Sequence, residues 1–137
     1  MVLVDTTVWI ALLRGQEGPA VQRLRVILDE GEAALAPVIV QEILQGARDE
    51  AACRTLQRRF SALPMIDGTS ALQTRMQTHM AAGRLYARCR WAGITPRSPH
   101  DCLIAQIAIE HEVPLLHDDH DFELLSQVDP RLALLRA

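Results

Sequence analysis

Asp5, Glu42, Asp101 and the acidic run Asp118, Asp119 and Asp121 are the residues of this sequence best suited to chemistry. Asp5 directly follows Val2-Leu3-Val4, and the acidic run follows Leu115-Leu116, both apolar segments that read as short strands. In open parallel sheets ligands bind beyond the carboxyl ends of the strands, so carboxylates there carry more weight than carboxylates elsewhere. Asp101 opens the most apolar stretch of the chain, and Glu42 falls in the first turns of a predicted helix after the second strand. Carboxylates that converge on one crevice repel one another unless divalent cations neutralise them, and hard oxygen ligands select magnesium or manganese. Such an ion lowers the pKa of a bound water and stabilises developing negative charge on oxygen.

Each of these residues also has a purely structural use. Asp5 can cap the first helix, and Ser98-x-x-Asp101 has the spacing of a capping box before an apolar run. Glu42 lies off the Val40, Ile43, Leu44, Ala47 stripe and can be a solvated helix residue. Asp118, Asp119 and Asp121 can be turn and cap residues, with Asp121, beside Phe122 at a helix start, the stronger candidate for the cap. Cap and ligand roles are compatible, because a helix N-terminus stabilises the ionised carboxylate that a metal needs. His111, His117 and His120 match no zinc-finger spacing. The glycine-rich signatures of nucleotide-triphosphate, dinucleotide and α/β-hydrolase sites are absent, and Trp9 and Trp91 read as core residues rather than base-stacking platforms.

Elements able to position these carboxylates alternate along the chain. Strands are predicted at residues 2–4, 33–36, 65–66, 113–116 and 132–135, and helices at 8–13, 19–30, 38–48, 49–63, 70–91, 102–109 and 121–125. This alternation argues for an α/β fold around a mostly parallel sheet, and residues 1–137 are expected to form a single domain. The helix at 102–109 is apolar on nearly all sides and is therefore expected to be buried.

Composition narrows the function classes. No uncharged run approaches the roughly 18 apolar residues of a membrane span, and Met1 leads into Val2-Leu3-Val4-Asp5 without the basic start of a secretory signal. A cytoplasmic protein with no membrane association is expected. Cys53, Cys89 and Cys102 form no C-x-x-C pair and read as buried, reduced thiols. Fourteen basic residues, all Arg, oppose seventeen acidic ones for a net charge of −3, which argues against a broadly basic surface for duplex DNA.

Four stretches of the sequence carry a family resemblance. Val2-Leu3-Val4-Asp5-Thr6-Thr7-Val8-Trp9-Ile10, Val40-Gln41-Glu42-Ile43-Leu44-Gln45-Gly46, the segment from Gly93 to Ala105 that contains Ser98-Pro99-His100-Asp101, and Asp119-His120-Asp121-Phe122 resemble, in order, the acidic motifs of PIN-domain ribonucleases of the VapC type. His117 stands where many members carry Thr. The resemblance spans nearly the whole chain and implies a compact α/β/α sandwich with a central parallel sheet. It implies that Asp5, Glu42, Asp101 and Asp119 are catalytic, metal-binding carboxylates for Mg2+, with Mn2+ as a substitute. Asp119 is preferred over its neighbours because the family's Asp-x-Asp-Phe pattern places the functional carboxylate first.

Supporting roles follow from the same resemblance: Thr6 or Thr7 would hydrogen-bond metal waters or the scissile phosphate, with Asp121 alongside. Arg97 and Arg14 are candidates for RNA phosphate contact. The implied activity is that of an endoribonuclease toxin of a type II toxin–antitoxin pair, cutting exposed loops of structured RNA such as tRNA or rRNA. The implied partners are a small VapB-like antitoxin and either a second copy of the chain or a toxin–antitoxin hetero-oligomer. Two other readings stay open on the residues alone: a nuclease acting on DNA, and a non-catalytic module whose acidic pocket holds a partner's arginine.

Overall fold

The computed structural model describes residues 1–66 and 72–135. Four short strands, β1 (Val2–Val4), β2 (Ala33–Ala34), β3 (Leu115–Leu116) and β4 (Leu134–Leu135), form a wholly parallel sheet in the order β2-β1-β3-β4. Between them run α1 (Thr6–Leu13), α2 (Pro19–Asp29), α3 (Pro37–Gln45), α4 (Glu50–Ser61), α5 (Leu72–Trp91), α6 (Pro99–Glu110) and α7 (His120–Val128). Successive side chains of a strand point to opposite faces. Leu3, Val4, Leu115 and Leu116 are all fully buried, so both faces of the central strands are covered. Such double cover is what a parallel sheet of continuous apolar strands requires.

The sequence explains where the helices begin and what they bury. Pro19, Pro37 and Pro99 each occupy the first helical position, where proline's missing N–H costs nothing and its fixed φ suits the turn. α6 is buried along most of its length, through Cys102, Ile104, Ala105, Gln106, Ile107 and Ala108. Trp9 lies in the core, its indole N–H donating to the Val4 carbonyl at 3.1 Å and its ring meeting Phe60 edge-on at 5.2 Å.

Several sequence expectations need correction. Met65-Ile66 does not form a strand: it meets the sheet through a single bridge from Met65 to Leu35, with the Ile66 N–H donating to the Leu35 carbonyl at 2.6 Å. Trp91 is 78% exposed rather than core, because it is the last residue of α5 and the chain turns away through Ala92 and Gly93, the latter with φ +81°. Cys53 is partly exposed on α4, whereas Cys89 and Cys102 are buried. The predicted start of the fifth long helix, at residues 70–71, lies outside the described residues. α7 begins at His120, one residue earlier than expected, and this shift reassigns a carboxylate below.

Candidate active site

β1 and β3 are neighbours in register, Val4 opposite Leu116, so the chain leaves both strands at the same edge of the sheet. The Asp5 N–H donates to the Leu116 carbonyl at 2.9 Å, which holds the first acidic residue beside the start of the last acidic segment. Asp5 is the N-cap of α1: its Oδ2 accepts from the Thr7 N–H at 3.3 Å and from the Thr7 hydroxyl at 2.5 Å. It is only 2% exposed. The Thr6 hydroxyl donates to Glu42 Oε1 at 2.8 Å, tying α1 to α3. Each threonine hydroxyl thus donates to an acidic side chain and orients it, Thr7 the Asp5 carboxylate and Thr6 that of Glu42.

At the start of α6, Ser98 Oγ accepts from the His100 N–H at 3.2 Å, and Pro99 fills the next position. The cap thus belongs to Ser98 and is satisfied by His100, so Asp101 is not needed as a capping-box partner. Its carboxylate instead lies with those of Asp119 and Asp121, each offering an oxygen such that the three atoms are within 4.8 Å of one another. Asp5 and Glu42 complete the acidic surroundings, since Asp101 feels the charge of Asp5, Asp119, Glu42 and Asp121. Next to them, His100 Nδ1 is 3.5 Å from Glu42 Oε2.

The last acidic segment departs from expectation in one respect. Asp119, not Asp121, caps α7, its Oδ1 accepting from the Asp121 N–H at 2.9 Å. Because the helix begins at His120, Asp121 falls inside the first turn and is buried, in the tight acidic group. Asp118 is exposed and is not in that group. The sequence signal that could have placed Asp121 is the Asp-x-Asp spacing at a helix start, which allows a cap and a first-turn carboxylate to share one locus.

Arg97 is the local counter-charge. Its guanidinium reaches Asp119 Oδ1 at 2.6 Å and Asp121 Oδ2 at 3.2 Å, and its backbone N–H donates to the same Asp121 oxygen at 3.1 Å. The arginine read from sequence as an RNA contact is thus engaged with the acidic cluster. Arg14, the other candidate, follows the C-terminal end of α1, about 13.5 Å along the helix from Asp5, and lines a separate groove with Arg48 and Arg59. The structure does not bring it to the cluster. Among the described residues, His111, His117 and His120 make up no metal-ligating group: His120 pairs with Glu123 at 2.8 Å, and His117 packs against Phe122.

Burial pushes the Asp5 carboxyl up from 3.8 to about 6, against the lowering effect of its Thr7 hydrogen bonds. Burial, and then the charges of Asp5, Asp119, Glu42 and Asp121, push Asp101 up to about 7. Such a site holds too much negative charge for one guanidinium, and its all-oxygen donor set fits a hard divalent cation. The raised values also set a sign for stability. The folded chain keeps protons that the unfolded chain releases, so this contribution is complete below about pH 4 and is lost as pH rises through 6 to 7. In chelator the thermal midpoint is therefore expected to fall between pH 5 and pH 8, and added magnesium should raise it more at pH 8 than at pH 5. Differential scanning calorimetry across that range checks both statements; a midpoint that rises with pH in chelator contradicts them.

The class of fold and site is that of a known family. The chain belongs to the PIN domain family, whose pattern it matches over residues 2–127. It is 36% identical over 130 residues, 93% of each chain, to "VapC ribonuclease Mb1587" of Mycobacterium bovis and to "Ribonuclease VapC11" of Mycobacterium tuberculosis. Among solved structures, a chain of VapBC2 from Rickettsia felis bound to a promoter DNA fragment superposes with a TM-score of 0.72 at 17% identity, covering 100% of this chain and 99% of that one. A chain of FitAcB from Neisseria gonorrhoeae gives a TM-score of 0.64 at 19% identity, covering 98% and 96%. At these identities the superpositions speak for the α/β/α fold.

Proposed function

We propose that this chain is a metal-dependent endoribonuclease, the toxin of a type II toxin–antitoxin pair, acting as one domain in the cytoplasm. The observation that carries the reading is Asp101, a buried carboxylate grouped with Asp119 and Asp121 and facing the charges of Asp5 and Glu42. The ribonuclease names of relatives 36% identical to this chain point the same way. Asp5, Glu42, Asp101 and Asp119 would hold Mg2+ or Mn2+, and Asp121 joins them on geometric grounds. Magnesium bound there supplies an activated water and charge stabilisation at the leaving oxygen. Thr7 fixes the Asp5 carboxylate and Thr6 fixes Glu42, so the two ligands are oriented before a cation arrives.

RNA is the proposed substrate, with single-stranded loops favoured because their bases are already unstacked. A VapB-like antitoxin is the proposed partner, consistent with structural neighbours solved as VapBC and FitAB complexes. It would inhibit by placing a basic side chain among the carboxylates, as Arg97 already does from within the chain. The test is a side-by-side incubation with RNA and with DNA of the same sequence in magnesium. RNA is expected to be cut while the DNA survives; equal cleavage of both, or of neither, rejects the ribonuclease reading.

A further inference from the structure

A cavity of about 570 Å³ opens between α3, α5 and α6, next to the carboxylates but distinct from them. Two of the residues that line it, Gln41 and His100, are the sequence neighbours of Glu42 and Asp101. His100 also stands 3.5 Å from Glu42, so the cavity and the acidic site share a wall. The remaining surface is largely apolar, with Val38, Tyr86 and Leu103 in it, and His79 adds a second imidazole. A volume of this size lies in the range of about 300–1,000 Å³ typical of small-ligand sites, which combine apolar walls with a few polar groups.

The chemistry matches one kind of occupant. A nucleobase has apolar faces and a polar edge, and single-stranded nucleic acid is held by stacking on aromatic rings together with hydrogen bonds to base edges. Tyr86 offers a ring, the Gln41 amide offers both a donor and an acceptor, and each imidazole offers a donor or an acceptor. Because His100 lines the cavity and stands 3.5 Å from Glu42, a base seated here would have its own phosphate near Glu42 and Asp101. We infer that this cavity is the subsite for an unstacked nucleobase adjoining the scissile phosphate, with Gln41 and His100 reading its edge. This inference rests on the ribonuclease reading above and adds to it a source of base preference.

Gly83 provides the test. It lines the cavity from the middle of α5, and a Cβ built on it meets nothing within 4 Å. Gly83→Leu therefore starts from a Cβ in open space, projects bulk into the cavity and improves helix propensity. Three readouts are taken on wild type and variant: backbone amide shifts on titration with AMP, GMP, CMP and UMP separately, the base preference of cleavage sites in a pool of RNA, and the mass in solution. The expected result is that wild-type amides of residues 83 and 103 shift by amounts that differ among the four nucleotides, and that these shifts vanish in Gly83→Leu. The variant's base preference should flatten at least tenfold with its mass unchanged.

The inference is overturned by amides that do not respond to any nucleotide, by an unaltered base preference in the variant, or by a mass that changes with the substitution. The last outcome would mark the face as a contact between copies of the chain. If nucleotides bind at residues 83 and 103 but wild type cuts no RNA in magnesium, the ribonuclease reading fails while the nucleotide site stands.

Discussion

Asp101→Asn is expected to lower RNA cleavage by roughly a hundred- to a thousandfold while making the metal-free protein more resistant to heat at neutral pH. The rate effect follows from removing one ligand from a site whose cation contributes several kcal/mol of charge stabilisation. The stability effect follows from the position of the residue. Burial, and then the charges of Asp5, Asp119, Glu42 and Asp121, hold the Asp101 pKa up at about 7. Above that pH the folded chain bears an ionised group that burial and its acidic neighbours disfavour. An amide of the same shape removes that repulsion, so the thermal midpoint in chelator at pH 8 is expected to rise by several degrees. Added magnesium should then stabilise the variant less than it stabilises wild type. Calorimetry and a cleavage time course on the same preparations check this; a variant less stable than wild type in chelator contradicts the picture of a strained acidic cluster.

The second large effect separates three neighbouring aspartates. Asp118→Asn is expected to leave turnover within about twofold of wild type, as surface substitutions away from a site generally do. Asp119→Asn and Asp121→Asn should each lower it by at least tenfold, because both carboxylates belong to the group around Asp101. Stability distinguishes this pair. Asp119 caps α7, so Asp119→Ala should cost about 0.5–2 kcal/mol, whereas Asp119→Asn keeps a side-chain oxygen able to cap. Asp121 makes no cap, and its Oδ2 accepts from the Arg97 backbone N–H and guanidinium instead. Thermal midpoints and rates of the four variants decide the matter. If Asp118→Asn is the most damaging to turnover at normal stability, the segment after β3 is positioned differently from this account.

These two predictions fall where the sequence was readable and where it was not. The strand ends were plain, because Val2-Leu3-Val4 and Leu115-Leu116 are apolar runs closed by acidic residues, and a parallel sheet puts such ends at one edge. The cap at Ser98 and the burial of α6 followed equally from local chemistry. The division of labour between Asp119 and Asp121 was not legible, because it turns on a helix boundary shifted by one residue, finer than propensity resolves. Glu42 looked solvent-facing on its own helix. Tertiary contacts, the Thr6 hydroxyl arriving from α1 and His100 from α6, show that it faces the acidic group. Arg97 pairs with residues more than twenty positions away, and nothing local announces such a bond. Trp91 is 78% exposed because, among the described residues, no other element covers the last turn of α5, which is likewise a property of packing rather than of residue type.

The central claim is that the acidic cluster works by holding a divalent cation for RNA hydrolysis. It is tested most directly by one cleavage time course in which a single preparation meets RNA in magnesium, then excess EDTA, then restored magnesium. Cleavage is expected to stop on chelation and to resume at its initial rate on restoration. Cleavage that continues unchanged in excess EDTA would contradict it.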